Sequence, residues 1–271
     1  MALRGPLLAL ALLVVACGET ARPTPDPLAG SYLAVSAESA VPLASELTTA
    51  LSALHPGMTW TVRDVGSTEA LGLVSRGEAD AGFLSDEPSI AERAEALVTG
   101  LGFSAQVLVV HPTNPISGLT AAQLRGIFSG TIRDWSDVGG TPGPIQVVVR
   151  EASSSTRATL DPLLLAPGTT YRQDAVSVPG ALAMLDAVRA SPGAIGMVSA
   201  LSLGAEATEP RAIAVAGVAP TRANTASGLY AYRRPLYLVS QANPSYARAG
   251  ANALRDFVRG EAGQRIIRAR L

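Results

Sequence analysis

Residues 150–157 carry the side chains and backbone groups best suited to binding an anion. The stretch reads Arg-Glu-Ala-Ser-Ser-Ser-Thr-Arg and follows an apolar, β-branched run at 145–149 that is typical of a buried strand. A helix can start within it, so unpaired N–H groups and the positive end of a helix dipole would point to one place. Arg150 could add a planar guanidinium suited to a tetrahedral oxyanion. An ordinary serine-rich helix cap is the alternative, because Ser and Thr favour helix starts.

Ser67 and Asp86 also fall where a predicted strand passes into a predicted helix. Strands are predicted at 32–36, 58–65 and 79–84, with helical patterns at 42–54 and after residues 66 and 88. Repeated βα units indicate an α/β fold with a mostly parallel sheet and flanking helices, whose ligands bind beyond the carboxyl ends of the strands. Ser67 and Asp86 are therefore expected at one edge, although each could instead be a helix cap.

A second unit is predicted to begin after Pro112, where the buried strand 105–111 ends. The elements predicted beyond it are a helix from 119, a strand at 145–149, a helix at 181–188, strands at 211–215 and 236–239, and an amphipathic helix at 249–268.

The N-terminus predicts export. Residues 1–16 contain Arg4 and then a Leu-, Ala- and Val-rich run too short to span a bilayer, which is typical of a secretory signal. The sequence Val-Val-Ala-Cys-Gly at 14–18 resembles a bacterial lipobox, so we expect lipidation of Cys17; an inert free cysteine beside a signal-peptidase site is the alternative. The Pro-rich segment 18–29 would be a tether, leaving the protein lipid-anchored in the periplasm or on the outer cell surface.

Composition argues against several function classes. The 271-residue chain has a net charge of -1 and no basic block, so nucleic acid is not expected as a partner. A Ser-type hydrolase is weakly supported, because there is no Gly-x-Ser-x-Gly elbow and the histidines, His55 and His111, have no acid arranged in sequence to orient them. No metal-ligand spacing is visible, so no metal, cofactor or catalytic residue is expected.

With these elements placed, the chain resembles the substrate-binding proteins of bacterial phosphate ABC transporters, the phosphate-binding branch of the type II periplasmic binding proteins. The resemblance follows the mature chain in order and is carried by residues 119–128 (Leu-Thr-Ala-Ala-Gln-Leu-Arg-Gly-Ile-Phe), 132–135, 139–140, 150–157, 193–198, 234–237 and 263–264.

This resemblance implies a two-lobe fold with two hinge crossovers. One lobe would comprise residues 30–110 and 225–271 and the other residues 111–224, after the signal at 1–17 and the tether at 18–29. The implied protein is a monomer that captures inorganic phosphate between its lobes and delivers it to the permease of an ABC transporter.

The family pattern also implies which residues bind the ligand. The first lobe would contribute Ser67 and Asp86, and the second lobe would contribute the residues Arg150, Ser154, Thr156 and the backbone N–H of Ser155. Because a carboxylate only accepts hydrogen bonds, Asp86 would accept the proton of hydrogen phosphate and repel sulfate.

Two positions depart from the family pattern. Glu38 stands where the family has a threonine, and a dianion about 4 Å from it would cost roughly 4 kcal/mol per ligand charge at an effective dielectric near 20. Pairing of Glu38 with Arg157, or a shifted loop that uses Ser39, would avoid this cost. Ser155 replaces a family glycine and requires a negative φ. Glu38 keeps open the alternatives of another oxyanion, or of a non-transport surface scaffold whose pocket is degraded.

Overall fold

The structure is a computed structural model that describes residues 26–243, 245 and 247–271. The predicted signal, the lipidation site Cys17 and residues 18–25 of the predicted tether lie outside this part of the chain. Among the described helices, none combines the length and the apolar character that a membrane crossing requires.

The elements alternate between strands and helices as the βα pattern predicts. The strands are β1 (Gly30–Ser36), β2 (Met58–Asp64), β3 (Ala81–Leu84), β4 (Ala96–Val110), β5 (Gly118–Leu119), β6 (Gln146–Arg150), β7 (Val176–Val178), β8 (Ala194–Ser199), β9 (Arg211–Ala212), β10 (Ala214–Val215) and β11 (Arg233–Gln241). The helices are α1 (Val41–Ser52), α2 (Ser67–Ser75), α3 (Ile90–Glu95), α4 (Ala121–Ser129), α5 (Ser155–Leu164), α6 (Gly180–Ala190), α7 (Arg222–Ser227), α8 (Ala249–Arg259) and α9 (Glu261–Arg270). Short 3-10 turns lie at Glu38–Ala40, Trp135–Val138 and Ala200–Ser202.

The main sheet has the strand order β2-β1-β3-β11-β4-β8-β6-β7, with β9 paired to β4. Strand β1 is parallel to β2 and β3, and β6 is parallel to β7 and β8. Strands β11 and β4 run antiparallel to each other and to their outer neighbours, β3 and β8. Two parallel blocks are thus joined through an antiparallel centre, and the predicted α/β class is confirmed.

Strand β4 carries the chain from one block to the other. Its first part pairs with β11, whereas residues 106–110 pair with β8. The sequence predicted only the part from residue 105, because Gly100 and Gly102 weaken the strand pattern before it. The return passage precedes β11, where the N–H of Gln106 donates to the carbonyl of Tyr232 at 2.8 Å.

Buried side chains form separate cores in the two halves. One core contains residues such as Leu108, Phe128, Val148, Leu160 and Ile195. The others contain residues from both ends of the described chain, among them Leu43, Phe83, Leu238 and Val239. The cores do not follow the predicted bounds 30–110, 111–224 and 225–271 residue by residue, because the buried residues of 105–110 and Tyr230 pack with the middle segment, whereas Leu201 packs with the chain ends.

Two predicted elements are each divided in the structure. The helix predicted at 249–268 is α8 followed by α9, because Gly260 between them is extended, with φ of −74° and ψ of 167°. A Cβ at Gly263 would lie 2.3 Å from the carbonyl oxygen of Phe257, so the junction depends on a bare backbone. The strand predicted at 211–215 is divided into β9, which pairs with β4, and β10, which pairs with β5.

Candidate functional site

A cleft with a volume of about 420 Å³ lies where β1, β2, β3 and β6 end. It is lined by Ala37, Glu38, Asp64, Val65, Gly66, Ser67, Ser85, Asp86, Glu151, Ser153, Ser154 and Ser155. These residues lie at the carboxyl ends of strands, which is the edge where α/β sheets bind ligands. The structure therefore brings together four of the predicted ligand residues, Ser67, Asp86, Ser154 and Ser155.

Ser67 and Ser85 form one part of the cleft wall. Ser67 begins α2 after Gly66, whose φ of 81° favours glycine. The Oγ of Ser67 accepts a hydrogen bond from the N–H of Ser85 at 3.1 Å. The Oγ of Ser85 is buried and has no hydrogen-bond partner within the described residues. Ser85 therefore offers a free hydroxyl, which sequence reasoning missed although the residue stands between a buried strand and Asp86.

Asp86 lies at the mouth of the cleft and forms an ion pair with Arg234 of β11. Arg234 also donates to the carbonyl of Ser85 at 2.9 Å and to the carbonyl of Ser155 at 3.2 Å. One arginine thus connects the turn after β3 with the start of α5. In the sequence, Arg234 stands out only as part of the family pattern, because nothing along the chain places it beside Asp86.

The start of α5 forms the facing wall. Ser154 is the N-cap, and its Oγ accepts from the N–H of Arg157 at 3.3 Å. Ser155 is the first residue of the helix and does not have a positive φ, so the backbone requirement for a serine at this position is met. The capping interpretation of Ser154 and the ligand interpretation are compatible, because a cap hydroxyl that accepts from its helix keeps its own O–H to donate.

Thr156 and Arg150 do not line the cleft. The Oγ1 of Thr156 donates to the Oε1 of Gln106 at 2.7 Å, and both side chains are buried. Arg150 is only 1% exposed, and its Nε and Nη2 donate to Glu151 at 2.8 and 2.7 Å. Its Nη1 is buried without a partner in the described part of the chain.

Glu38 shares Nη2 of Arg150 with Glu151. Its Oε2 accepts from Nη2 of Arg150 at 2.8 Å, and its Oε1 accepts from the N–H of Ala181 at 2.7 Å. The predicted pairing of Glu38 with Arg157 is wrong, because Arg157 instead donates to the carbonyl of Arg150 at 2.9 Å. Ser39 is buried outside the cleft lining, so the turn does not shift to present it there.

Arg150 and Glu151 each shift the pKa of the other. Burial lowers the pKa of Arg150, but hydrogen bonds to Glu151 and Glu38 outweigh this effect and place it above its ordinary value. The hydrogen bond from Arg150 in turn holds the pKa of Glu151 below its ordinary value.

The cleft is more acidic than the family pattern implies. Within the described residues its lining includes the carboxylates of Glu38, Asp64, Asp86 and Glu151. Asp64 is exposed but lies in a concave wall of the cleft. Desolvation there is the larger cause, and repulsion from Glu38 the smaller cause, of a pKa above its ordinary value. Carboxylates accept hydrogen bonds but cannot donate them when ionised, so this lining favours a ligand that carries O–H groups.

The histidines are not part of this site. The Nδ1 of His55 lies 3.0 Å from Asp26, an acid from another segment that only the fold brings to this histidine. His111 contacts Thr113 at 2.8 Å. Neither of these described histidines lines the cleft, and a histidine paired with a cleft serine is therefore not formed.

Comparison with known proteins identifies the family. The model for the PBP superfamily domain matches residues 21–261. The chain belongs to the PBP superfamily. A relative from Bacillus subtilis, the phosphate-binding protein PstS, is 26% identical over 226 residues, covering 79% of this chain and 70% of the relative. PstS of Borreliella burgdorferi is 25% identical over 177 residues, and that alignment spans 62% of each protein, less than two thirds of the relative.

A solved structure agrees with the fold. A Clostridium perfringens protein assigned as a phosphate ABC transporter substrate-binding protein, with bound phosphate, matches with a TM-score of 0.72 and 23% identity. The match covers 88% of this chain and 96% of that protein. The predicted resemblance and two-lobe fold are confirmed.

Proposed function

We propose that this protein captures inorganic phosphate outside the cytoplasm and delivers it to the permease of an ABC transporter. The observation that carries the proposal is the convergence of four strand ends, with the starts of α2 and α5, on one cleft lined by serines and carboxylates. Membership of the PBP superfamily and relatives named as phosphate-binding proteins support the same function.

The proposed roles follow from hydrogen-bonding chemistry. Ser67, Ser85 and Ser154 would donate O–H groups to phosphate oxygens, and the N–H groups at the start of α5, including that of Ser155, would add backbone donors. Asp86 would accept the ligand's own O–H and thereby disfavour sulfate, which has no proton to offer near neutral pH. These roles are binding roles and include no bond-making step.

The predicted roles of Arg150, Thr156 and Ser39 require a rearrangement. Arg150 and Thr156 are buried behind the cleft and already paired, and Ser39 is buried outside the lining. A ligand-bound state in which Arg150 exchanges Glu38 for phosphate would give Arg150 its predicted role. Lipidation of Cys17, a tether before residue 30 and a monomeric state complete the proposal.

Calorimetric titration of the full chain with phosphate and with sulfate tests this function. We expect heats that fit a single site for phosphate, and weaker binding of sulfate. Asp86→Asn should narrow the difference in affinity between the two anions, because an amide can donate to sulfate. Asp137→Asn is the matched control, since Asp137 is exposed and lies outside the cleft. Phosphate heats indistinguishable from those of sulfate would exclude phosphate capture, and unchanged selectivity in Asp86→Asn would remove Asp86 from its role.

A second candidate is favoured by the neutralisation of Arg150. Since Glu38 and Glu151 already neutralise the charge of this guanidinium, the protein could bind a different oxyanion or act as a surface scaffold without transport. Titration with arsenate, molybdate and phosphonate tests whether a different oxyanion is bound. Absence of heat with every anion would support the surface scaffold.

A further inference from the structure

Glu38 connects the two lobes through a single carboxylate. It follows β1, whose residues pack in the core shared by the chain ends, whereas Arg150 ends β6 and belongs to the middle segment. The Glu38 side chain is 26% exposed and contacts a guanidinium that is 1% exposed. The Oε2 of Glu38 lies 2.8 Å from the Nη2 of Arg150, so a solvent-facing carboxylate forms an ion pair with a buried cation where the two lobes meet.

The same carboxylate caps helix α6. The N-cap residue Pro179 provides no side-chain cap within the described structure, and a proline has no hydroxyl or amide with which to do so. The first N–H groups of α6 are satisfied from outside the helix: Gly180 donates to Glu151 at 3.3 Å, and Ala181 donates to Glu38 at 2.7 Å. A helix start and a guanidinium are the groups that proteins use to hold a phosphate, and here both are occupied by the protein's own carboxylates.

Resting on the proposed function, we infer that Glu38 is an internal competitor of phosphate and is the residue that sets the affinity of the cleft. Carboxylate and phosphate oxygens accept hydrogen bonds from the same donors. Nη2 of Arg150 has two N–H groups, which Glu38 and Glu151 occupy, and the unpartnered Nη1 is buried, so a phosphate that reaches Arg150 through Nη2 must first displace Glu38. The apparent dissociation constant is then the intrinsic constant divided by the fraction of molecules in which Glu38 is released.

Phosphate bound with Glu38 in place would have few cations to neutralise it. It would face the carboxylates of Glu38, Asp64 and Glu151, while Arg150 is sealed behind them and Arg234 is paired with Asp86. Release of Glu38 removes one negative charge from the wall and frees one cation at the same time. The release also cuts a link between the lobes, so ligand exchange and hinge motion are coupled through this residue.

The test compares variants of the full chain by calorimetric titration with inorganic phosphate. Glu38→Gln keeps the size of the side chain and an oxygen for the N–H of Ala181, but it lacks the charge that holds Arg150. We expect phosphate to bind Glu38→Gln at least about tenfold more tightly than wild type, and Glu38→Thr likewise. Asp64→Asn is the matched control, because Asp64 is also a cleft carboxylate but accepts no hydrogen bond from Arg150. The gain in phosphate affinity should be clearly smaller for this variant than for Glu38→Gln.

Small-angle scattering of the phosphate-free proteins gives a readout that does not depend on affinity. Loss of the link between the lobes should increase the radius of gyration of Glu38→Gln and leave that of Asp64→Asn at the wild-type value. Circular dichroism spectra that match wild type establish that each variant is folded.

Different outcomes separate this inference from the proposed function. If wild type binds phosphate and Glu38→Gln binds it no more tightly, the inference fails while phosphate capture stands. Equal gains in phosphate affinity for Glu38→Gln and Asp64→Asn would show that Glu38 acts only through its negative charge, which would also overturn the inference. Absence of phosphate binding in wild type and in all variants overturns both proposals, whereas binding that appears only when Glu38 is replaced supports the competitor role.

Discussion

Replacing Arg150 with methionine tests how far this buried cation holds the two lobes together. The side chain is 1% exposed and makes three hydrogen bonds to carboxylates, one to Glu38 and two to Glu151, at 2.7–2.8 Å. Methionine fills a similar volume without a charge. The variant therefore leaves two carboxylates facing each other without their cation.

The loss in the free energy of unfolding expected for Arg150→Met depends on how exposed the two carboxylates are. Removing one partner of a buried ion pair typically costs about 3–5 kcal/mol. The side chains of Glu38 and Glu151 are 26% and 35% exposed, so water can solvate them once Arg150 is gone. We therefore expect a loss at the lower end, about 3 kcal/mol, which for a chain of this size corresponds to a fall in Tm of roughly 6–12 °C.

Urea unfolding followed by circular dichroism measures this loss. Arg268→Met is the matched control, because Arg268 is exposed and its replacement should change the free energy of unfolding by less than about 0.5 kcal/mol. A double-mutant cycle of Arg150→Met with Glu38→Gln should show a coupling of about 1 kcal/mol or more, since the second change removes one of the unpaired charges. A loss for Arg150→Met no larger than that of the control would refute the ion pair as a stabilising link.

Two further predictions concern a buried hydrogen bond and the dependence of stability on pH. Thr156→Val removes the donor to Gln106 while keeping the shape of the side chain, so it should cost about 1–3 kcal/mol in urea unfolding, and an unchanged midpoint would contradict the contact. The pKa of Glu151 is lowered in the folded protein by Arg150, so its contribution to stability is present above its unfolded pKa of about 4.3 and is lost as pH falls through the folded value. Unfolding midpoints measured between pH 6 and pH 3 should consequently fall more steeply for wild type than for Arg150→Met, and parallel profiles would contradict this assignment.

Much of the fold could be predicted because its signals are local. The apolar run before Arg150 and the strand at 32–36 are recognisable from side-chain patterning alone, and the structure has strands at both places. The first half of β4 was missed because Gly100 and Gly102 interrupt that pattern, and its pairing with β11 depends on residues more than 120 positions away. The break at Gly260 was missed because glycine is compatible with a continuous amphipathic pattern, and only packing against neighbouring elements decides where a helix turns away.

The site was predictable only in part for a related reason. Ser67 and Asp86 could be placed at one edge because each follows a strand and parallel strands end at a common edge, whereas only the family resemblance implied that Ser154 and Ser155 face them. The same rule could have found Ser85 and Asp64, which occupy equivalent positions. It could not show that Thr156 turns towards Gln106, since the direction of one side chain at a helix start depends on the neighbour that can satisfy its hydroxyl.

From its sequence alone, this chain determines an α/β architecture with polar residues at the ends of several strands, because periodicity and turn chemistry act between residues close together in the chain. Only the tertiary structure decided which charges meet. Glu38 and Arg150 lie 112 positions apart and meet where the lobes are joined, whereas Asp86 and Arg234 lie 148 apart and meet because β3 pairs with β11. The net charge of a site is the sum over all groups brought within a few ångströms, and no local pattern contains that sum.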